Sequence, residues 1–328
     1  MKKIAIIGAG IAGLTLAHKL REIAEITVFE KSRGVGGRMS TRYYGEFEFD
    51  HGAQYFTIKT PEFAEFIQPL IEANVVVRWD ANFAELDRNK VLTQTKWSEG
   101  FPHYVGSPRM NQVGKFLAKD INISLQTLVK SLTRTEDSRW SLVDDKNENL
   151  GLFDWVISTA PAKQTEEIFQ NNFSEISSVK NKKMLGCFAL MLGFNEPLDL
   201  PWEAALVNNS DIGWIAVNSS KPGRPESCSI LVQSTNNWAE EHLVEDPEKI
   251  KNHLLNEFSQ VTGIDINNPA YCELHRWKYA NIAKQDGVNY LLDHENQLAA
   301  CGDWCIEGRV ENAFTSANEL SKVFVNIL

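Results

Sequence analysis

Three glycines near the start of the chain have the spacing of a dinucleotide-binding turn: Gly8, Gly10 and Gly13. They follow the apolar run Lys3 to Ile7 and precede a helix-like segment from Leu14 to Leu20. In such a turn the first glycine permits a tight bend, the second lets the backbone approach a pyrophosphate, and the third allows the helix to pack closely on the strand. The helix N-terminus would then present free N–H groups to the phosphates, and we assign Ile11 and Ala12, within the glycine turn, to the cofactor site.

An acidic residue, Glu30, ends the next strand-like run, Ile26 to Phe29, and lies 20 residues beyond Gly10. This is the distance expected for a carboxylate that accepts hydrogen bonds from a ribose diol. The glycine turn and the acid together predict a bound dinucleotide.

A second glycine-rich loop follows, from Lys31 to Ser40, and it ends in a cation, Arg38. An NAD-binding domain does not need this loop, whereas extended FAD needs one to cover its pyrophosphate and the start of its ribityl chain. A guanidinium suits that task because its rigid donor fork matches phosphate. We therefore expect FAD, with four residues of this loop in the cofactor site: Lys31, Gly37, Arg38 and Met39.

Asp303 follows Gly302 at the end of an apolar strand, just before a helix that begins near Gly308. A carboxylate there can accept a ribityl hydroxyl, and the helix N-terminus, which includes Val310, would face the N1–C2=O edge of a reduced flavin. The alternative is that Asp303 is a simple turn or N-cap residue.

The elements that must position these residues alternate between two patterns. Strand, glycine turn and helix dominate the start and the end of the chain, while residues 166 to 285 are rich in aromatics and proline and are typical of a mixed sheet. We predict an α/β fold, in which a Rossmann-type FAD-binding domain with a parallel sheet is interleaved with a mixed-sheet α+β substrate domain. The FAD-binding domain is expected over 1–60, 107–165 and 286–328, and the substrate-binding domain over 61–106 and 166–285.

Several motifs, in order along the whole chain, resemble the amine-oxidase-like branch of the glutathione-reductase-type FAD superfamily, and more narrowly the bacterial renalase-like oxidases. Besides the two glycine loops they are Asp50-His-Gly-Ala-Gln-Tyr-Phe-Thr57, Val156-Ile-Ser-Thr-Ala-Pro161, His275-Arg-Trp-Lys-Tyr-Ala280 and Cys301-Gly-Asp-Trp-Cys305 with Gly308-Arg-Val-Glu311. The glycine loops and the Asp50 motif specify the superfamily, and the last two motifs indicate the narrower branch.

This resemblance implies further site residues. Gln54 and Tyr55 would line the flavin, and Val129, on a strand expected from Ser124 to Val129, would contact adenine. The residues expected to meet the substrate are Tyr55, Trp277, Tyr279, Trp304 and Arg309. No residue is expected to act as a catalytic acid or base. No cysteine has the position relative to Asp303 at which some relatives attach flavin, so FAD is expected to be noncovalent.

The resemblance also implies a reaction. Renalase-like oxidases oxidise the 2- or 6-dihydro isomers of NAD(P) to NAD(P)+ by hydride transfer to flavin N5, and they reduce O2 to H2O2. The partners would thus be a dinucleotide substrate and O2. Two alternatives remain open: a flavin-dependent amine oxidase or desaturase-like dehydrogenase, and an FAD-binding protein without turnover.

Composition excludes several other classes. The 328 residues carry 33 Lys and Arg against 43 Asp and Glu, and this net charge of −10 argues against nucleic acid or an anionic membrane as partner. Five scattered cysteines favour reduced thiols over a disulfide framework, so we expect a cytoplasmic protein. The paired spacings typical of metal ligands are missing from the sequence, and no metal is expected. Because both dinucleotides bear phosphate, positive charge should concentrate locally, with these candidates for the substrate: Arg109, Arg276, Lys278, Lys284 and Arg309.

Overall fold

The computed structural model describes residues 1–97, 101–266 and 269–328. Its backbone divides into two compact units that alternate along the chain. The first unit comprises Met1–Arg38, Gly114–Met184 and Ile282–Leu328, and the second comprises Met39–Val113 and Leu185–Asn281.

The strands, in chain order, are β1 (Lys2–Ile7), β2 (Ala24–Phe29), β3 (Thr41–Tyr44), β4 (Phe47–Asp50), β5 (Val76–Arg78), β6 (Asn82–Asp87), β7 (Lys90–Lys96), β8 (Tyr104–Gly106), β9 (Ile123–Ser124), β10 (Val129–Arg134), β11 (Trp140–Asp144), β12 (Asn149–Phe153), β13 (Trp155–Ser158), β14 (Leu185–Phe194), β15 (Ala204–Asn208), β16 (Ile212–Val217), β17 (Cys228–Ser234), β18 (Tyr271–Asn281), β19 (Tyr290–Asp293) and β20 (Leu298–Cys301). The helices are α1 (Ile11–Leu20), α2 (Pro61–Glu72), α3 (Asn111–Leu117), α4 (Ala162–Phe169), α5 (Ile176–Lys180), α6 (Asn236–His242), α7 (Pro247–Thr262) and α8 (Val310–Ile327).

The first unit is built on a sheet in the order β19-β20-β13-β1-β2-β9, parallel except for the β19–β20 pair. The central strand β1 is apolar because both its faces are covered, and Ile4 to Ile6 have no exposed surface. Helices α1 and α8 pack on each other in this unit. An antiparallel ladder, β10-β11-β12, completes it. This is the Rossmann-type parallel sheet that the sequence predicts.

The second unit holds a mixed seven-stranded sheet in the order β18-β14-β17-β16-β15-β6-β7, in which only β15 and β6 of the described strands pair in parallel. Helix α7 lays Ile250, Leu254, Phe258 and Val261 into an apolar cluster on this sheet. Their spacing of three and four residues is that of a helix with one apolar face. The α/β fold class with a mixed second sheet is therefore confirmed.

The observed unit boundaries differ from the predicted domain limits of 1–60 and 107–165. Residues 39–60 belong to the second unit, because Phe47 and Phe49 on β4 pack in a cluster with Ala189, Met191 and Leu231. Residues 107–113 belong to it as well, and Met110 N donates to Asp50 Oδ1, whereas residues 166–184 and 282–285 belong to the first unit. A Cβ on Gly193 would lie 2.8 Å from the ring of Phe47, which shows how closely this aromatic side chain contacts the sheet.

The strand predicted from Ser124 to Val129 is wrong. Strand β9 ends at Ser124, and Gln126, which has a positive φ of 53°, donates its N–H to Ser32 O. Val129 instead begins β10, with 2% of its surface exposed. The expected contact of Val129 with adenine depended on that strand, and the structure does not contain it.

Candidate functional site

The first glycine loop of the first unit joins β1 to α1 with little room to spare. Gly8 has a φ of +105°, and a Cβ placed on Gly13 would lie only 1.9 Å from Gly8 O. A Cβ on Gly10, by contrast, would meet nothing within 4 Å. The loop is thus closed on its helix–strand side and open at Gly10, where a pyrophosphate would approach.

The start of α1 has donors that no side chain caps. Gly10 is the N-cap and offers no side-chain acceptor, so the first N–H groups, those of Ile11 and Ala12 among them, face the opening without a side-chain partner. A helix N-terminus of this kind is a ready site for an anion, because its N–H groups and dipole both favour negative charge.

Glu30 holds the backbone of this loop by hydrogen bonds. It is 5% exposed, and its two carboxylate oxygens accept hydrogen bonds of 2.8 Å from Ala9 N and from Ser32 N. An ionised carboxylate has about four acceptor positions, so these two bonds leave capacity for a ribose diol. The neighbouring Lys31 is exposed, and its Nζ donates to Gln164 Oε1 at 3.2 Å.

The second glycine loop lies directly against the first. Gly36 N donates to Ala9 O at 2.8 Å, and a Cβ on Gly37, whose φ is +54°, would lie 3.1 Å from Gly10 Cα. The two loops that the sequence assigns to one dinucleotide are therefore in van der Waals contact. Met39, the next predicted residue after Arg38, is buried.

Arg38 and Asp303 were predicted to contact different parts of the cofactor, and the structure brings them together. Arg38 Nη1 donates to Asp303 Oδ2 at 2.8 Å, and Nη2 pairs with Oδ1, so the two groups form a bidentate ion pair. Asp303 is nearly buried, with 4% of its side chain exposed, whereas 31% of the Arg38 side chain is exposed. The pair fixes the plane of the guanidinium at the loop that carries it.

Helix α8 offers a second uncapped N-terminus in the first unit. It begins at Val310, and its N-cap residue Arg309 makes no side-chain capping bond. The Arg309 side chain is instead exposed and pairs with Glu307 at 3.4 Å.

Trp304 was expected to meet the substrate, but its side chain is buried in the first unit. Only 1% of its surface is exposed, and its indole Nε1 donates to Ala160 O at 3.0 Å. It packs within the first unit, because its large apolar ring gains more from burial than from exposure.

In the second unit, the side chain of Gln54 points inward. It is 6% exposed, and its amide Nε2 donates to Asp50 O at 2.5 Å and to Gly52 O at 2.9 Å. Gln54 therefore fixes the path of the segment from Gly52 to Tyr55, whose backbone is the part expected to face a flavin.

Tyr55 belongs to a group of partly exposed rings that we call the aromatic group, composed of Tyr55, Phe83, Trp97, His103 and Trp214. The Tyr55 ring centroid lies 5.0 Å from that of Trp97, 4.8 Å from His103 and 5.6 Å from Trp214. Trp97 and His103 stack at 3.6 Å with an interplanar angle of 11°. Burial lowers the pKa of His103, which keeps this ring neutral at pH 7.

Trp277 and Tyr279 lie two residues apart on β18, in a stretch where the register of β18 against β14 shifts between Trp277 and Asn281. The indole Nε1 of Trp277 donates to His51 O at 2.8 Å, and its ring stacks on His51 at 5.3 Å. Burial lowers the pKa of His51 to about 3, helped by His275 and Arg42. Burial also lowers the pKa of His275 to about 4, helped by Arg42. This end of the sheet thus carries neutral imidazoles beside two candidate substrate residues.

Sequence reasoning missed most of the aromatic group, because Trp97, His103 and Phe83 belong to no motif. It also missed Lys221 and Arg224, whose side chains are completely buried. For the aromatic group, the one sequence feature that could have indicated it is the richness of the second unit in aromatic residues. Of the cations proposed for a second dinucleotide, Arg109 pairs with Glu48 and Arg276 Nη1 donates to Leu243 O.

Two other side-chain groups bear on cofactor chemistry. Burial raises the pKa of Cys305 to about 12 and that of Cys187 to about 11, so neither thiol is a ready nucleophile. Asp211, His253 and Glu257 bring one possible metal-ligand atom each within 4.8 Å of one another. His253 Nε2 already bonds Asp211 Oδ2 at 2.7 Å.

The residues present fit FAD. The opening at Gly10, the two uncapped helix N-termini and the acid behind the loop match the pyrophosphate, the N1–C2=O edge and the ribose of an extended flavin dinucleotide. In the part of the chain that the structure describes, no helix is both long and apolar enough to span a bilayer.

Comparison with solved structures supports the fold. A protein from Exiguobacterium sp. 255-15 assigned as a protoporphyrinogen oxidase superposes with a TM-score of 0.78 at 13% identity, covering 98% of both chains. Putrescine oxidase bound to putrescine superposes with a TM-score of 0.69 at 12% identity, covering 99% of both chains.

Sequence relatives match over short stretches. The flavin-dependent L-tryptophan oxidase RebO of Lentzea aerocolonigenes is 50% identical over 46 residues, which are 14% of this chain and 10% of that protein. Coproporphyrinogen III oxidase of Mycobacterium tuberculosis is 34% identical over 73 residues, 21% of this chain and 16% of that protein. The chain thus aligns with less than a fifth of the length of these relatives.

Family models cover much more of the chain. Residues 6–70 match the NAD(P)-binding Rossmann-like domain, and residues 81–321 match the flavin containing amine oxidoreductases. The chain therefore belongs to the flavin containing amine oxidoreductase family of FAD-dependent oxidoreductases.

Proposed function

We propose that this protein oxidises dihydro isomers of NAD(P), with the hydride at ring position 2 or 6, to NAD(P)+. FAD, when bound, accepts the hydride at N5 and passes two electrons to O2. Overall, the dihydro isomer, O2 and one proton give NAD(P)+ and H2O2. The Rossmann-type domain is proposed to bind FAD and the mixed-sheet domain to bind the substrate.

The observation that carries this proposal is the aromatic group around Tyr55. Its rings are partly exposed and lie within van der Waals reach of one another, with the Trp97–His103 stack as its most closely packed pair. Planar faces of this kind suit a flat nicotinamide ring. Tyr55 also ends the segment proposed to line the flavin, so a ring stacked there would lie beside the hydride acceptor.

The electrostatics of the aromatic group suit the product as well. Loss of hydride turns a neutral dihydropyridine into a cationic pyridinium, and aromatic faces attract a cation. Because positive charge builds up during hydride transfer, this attraction is stronger in the transition state than in the ground state and accelerates the reaction. The lowered pKa of His103 keeps its ring neutral, so it does not repel the developing charge.

No proton has to be removed from this substrate, because aromatisation follows directly from hydride loss. The reaction therefore needs no general base. The residues proposed to meet the substrate act by stacking and orientation: Tyr55, Trp277, Tyr279 and Arg309.

An amine oxidase is the second candidate, and the same aromatic group favours it, because aromatic faces also bind ammonium ions. An amine must lose a proton as well as a hydride before or during oxidation. The neutral imidazole of His103 would be the acceptor within the aromatic group. A protein that holds FAD without turnover is the third candidate.

Anaerobic mixing of the FAD-loaded protein with each candidate substrate separates the three. We expect the flavin absorbance band to bleach with the 2- or the 6-dihydro isomer of NAD or NADP, and to bleach far more slowly with ordinary NADH and with putrescine. Reduction by amines alone would overturn the proposal in favour of an amine oxidase. Tight FAD that no substrate reduces would favour the binding protein.

A matched pair of variants tests the role of the aromatic group. Trp214→Leu removes a partly exposed ring beside Tyr55, and we expect at least a tenfold rise in the substrate concentration needed for half-maximal bleaching, equivalent to about 1.4 kcal/mol. Trp140→Phe alters a buried ring in the first unit and should leave this concentration unchanged. Equal effects of both changes would refute a binding role for the aromatic group.

A further inference from the structure

A buried carboxylate in the second unit faces two buried cations. Asp50, at the end of β4, accepts a hydrogen bond from Lys221 Nζ at 3.3 Å and another from Arg224 Nη2 at 2.5 Å. All three side chains are 0% exposed. Arg224 is further held by Gly106 O and Pro222 O, at 2.8 Å and 3.0 Å from Nη1.

The charges of this trio do not cancel. Burial acts to raise the pKa of Asp50, but Lys221 and Arg224 outweigh it and hold that pKa at about 2, so the carboxylate is ionised. An arginine stays protonated in proteins. Burial lowers the pKa of Lys221 to about 8, with Asp50 opposing that shift and Arg224 adding to it. At neutral pH the trio therefore carries two positive charges and one negative charge.

Such an excess charge is costly to bury, because a charge loses its hydration when it leaves water. One pair, Asp50 with Arg224, would satisfy the site at lower cost. Lys221 is additionally accommodated by the face of Trp79, whose ring centroid lies 5.3 Å from Nζ. Asp50 therefore does not need Lys221 to neutralise its charge. Charges perturbed in this way concentrate at functional sites.

Lys221 also contacts the segment from Gly52 to Tyr55. Its Nζ donates to Gln54 Oε1 at 3.3 Å, while the amide nitrogen of Gln54 donates to Asp50 O and Gly52 O. Gly52 O accepts a further bond from Gln233 Nε2 at 3.0 Å. The positive charge therefore lies one side chain away from the backbone of this segment and helps to fix its path.

We propose that Lys221 is a positioning residue that places a net positive charge behind the Gly52–Tyr55 segment and thereby raises the midpoint potential of the bound FAD. This rests on the part of the proposed function in which that segment lines the flavin. A fully reduced flavin carries negative charge at its N1–C2=O edge, so a nearby fixed cation stabilises the reduced form more than the oxidised form. Water is excluded from the trio, and its field is screened less than that of a surface charge.

The test compares the wild type with Lys221→Met and Lys221→Gln by measuring the FAD midpoint potential in a reductive titration without any substrate. Both variants should fold, because Asp50 keeps Arg224 and the remaining pair is neutral. We expect reduced FAD to bind at least tenfold more weakly relative to oxidised FAD, which is a fall of about 30 mV for a two-electron couple. Lys249→Met, which removes the same charge from the exposed face of α7, should leave the potential unchanged.

A second measurement in the wild type keeps the proposal falsifiable if a variant unfolds. The groups that act on Lys221 are Asp50 on β4 and Arg224 on its own loop, with Trp79 and Gln54 in neutral contact. The pKa of Asp50 is about 2, so of these two partners Lys221 is the one that changes charge near pH 8. The potential should therefore fall more steeply with pH above about 8 than below it, and this break should disappear in Lys221→Met.

The outcomes separate this inference from the proposed function. Unchanged potentials in both Lys221 variants, or a wild-type potential without a break near pH 8, overturn the role of Lys221 even if dihydro isomers bleach the flavin. A lowered potential in both variants supports it even if an amine proves to be the substrate, since no substrate takes part in the titration.

Discussion

Two glycines of the first loop should respond in opposite ways to the same added methyl group. In Gly13→Ala the new Cβ would lie 1.9 Å from Gly8 O and 2.9 Å from Thr159 Oγ1. In Gly10→Ala it would meet nothing within 4 Å, and the φ of −74° suits alanine. Gly13→Ala should therefore damage the fold, and Gly10→Ala should damage only the binding of FAD.

The magnitudes follow from these contacts. The overlap at position 13 is with backbone, which places its cost at about 3 kcal/mol, the upper end of ordinary overpacking. The higher helix propensity of alanine offsets about 1 kcal/mol, leaving a loss of about 2 kcal/mol. For a chain of this length that lowers Tm by about 3 °C. At position 10 the poorer N-cap and the lower entropy of the unfolded chain are each worth about 0.5 kcal/mol and nearly cancel.

The affinity for FAD should fall in Gly10→Ala, the variant that keeps its stability. The methyl group added in Gly10→Ala would occupy the open space through which a pyrophosphate reaches the helix N-terminus, and one lost charge-assisted hydrogen bond costs about 1.5–3 kcal/mol. The Kd of FAD should therefore rise at least about tenfold in Gly10→Ala. The assays are thermal unfolding of the FAD-free proteins and titration with FAD followed by its fluorescence.

Either of two results would refute this reasoning. If FAD-free Gly10→Ala loses as much Tm as Gly13→Ala, the space at position 10 is not open. If Gly10→Ala binds FAD as tightly as the wild type, the pyrophosphate does not approach the helix at this glycine.

Three further predictions concern stability and the cofactor. The pKa of His51 is about 3 in the folded protein against 6.5 in the unfolded chain, so the unfolded chain binds more protons on acidification. The free energy of unfolding should therefore fall by about 2 kcal/mol from pH 7 to pH 5. Urea midpoints measured over this range should fall less steeply in His51→Gln than in the wild type. Thr60→Ala removes the cap of α2, in which Thr60 Oγ1 accepts from Phe63 N at 3.3 Å, and denaturant titration should show a loss of about 1 kcal/mol, with an unchanged midpoint as the contradicting result. Acid precipitation should release FAD into the supernatant, whereas yellow colour retained in the washed pellet would contradict noncovalent binding.

The parts of the fold that were predictable from sequence are those set by local pattern. Strand β1 is a continuous apolar run, and the turn after it requires Gly8 for its φ of +105° and Gly13 because a Cβ there would lie 1.9 Å from Gly8 O. Helix α8 begins at Val310, two residues after the Gly308 near which the sequence analysis expects its start. Each of these signals lies within about twenty residues, so the sequence alone can carry it.

The parts that were missed depend on residues far apart in the chain. The boundary at Arg38 follows from the packing of Phe47 against a sheet whose strands begin at Leu185, and no local pattern reveals that contact. The burial of Lys221 depends on Asp50, which is 171 residues away, and an isolated lysine in a proline-rich loop resembles a surface residue. Trp304 was misplaced for the same reason, because a motif gives its position in the chain but not the direction of its ring.

The pairing of β13 with β20 also determines when the first unit can form during protein synthesis. Val156 pairs with Leu298, and α1 packs against α8, so the partners of the earliest elements are translated among the last. At roughly 5–20 residues per second the ribosome needs about 15–60 s to extend the chain from α1 to α8. During that interval α1 lacks α8 and β13 lacks β20, and a nascent chain with such uncovered apolar surface is prone to the misfolding that chaperones prevent.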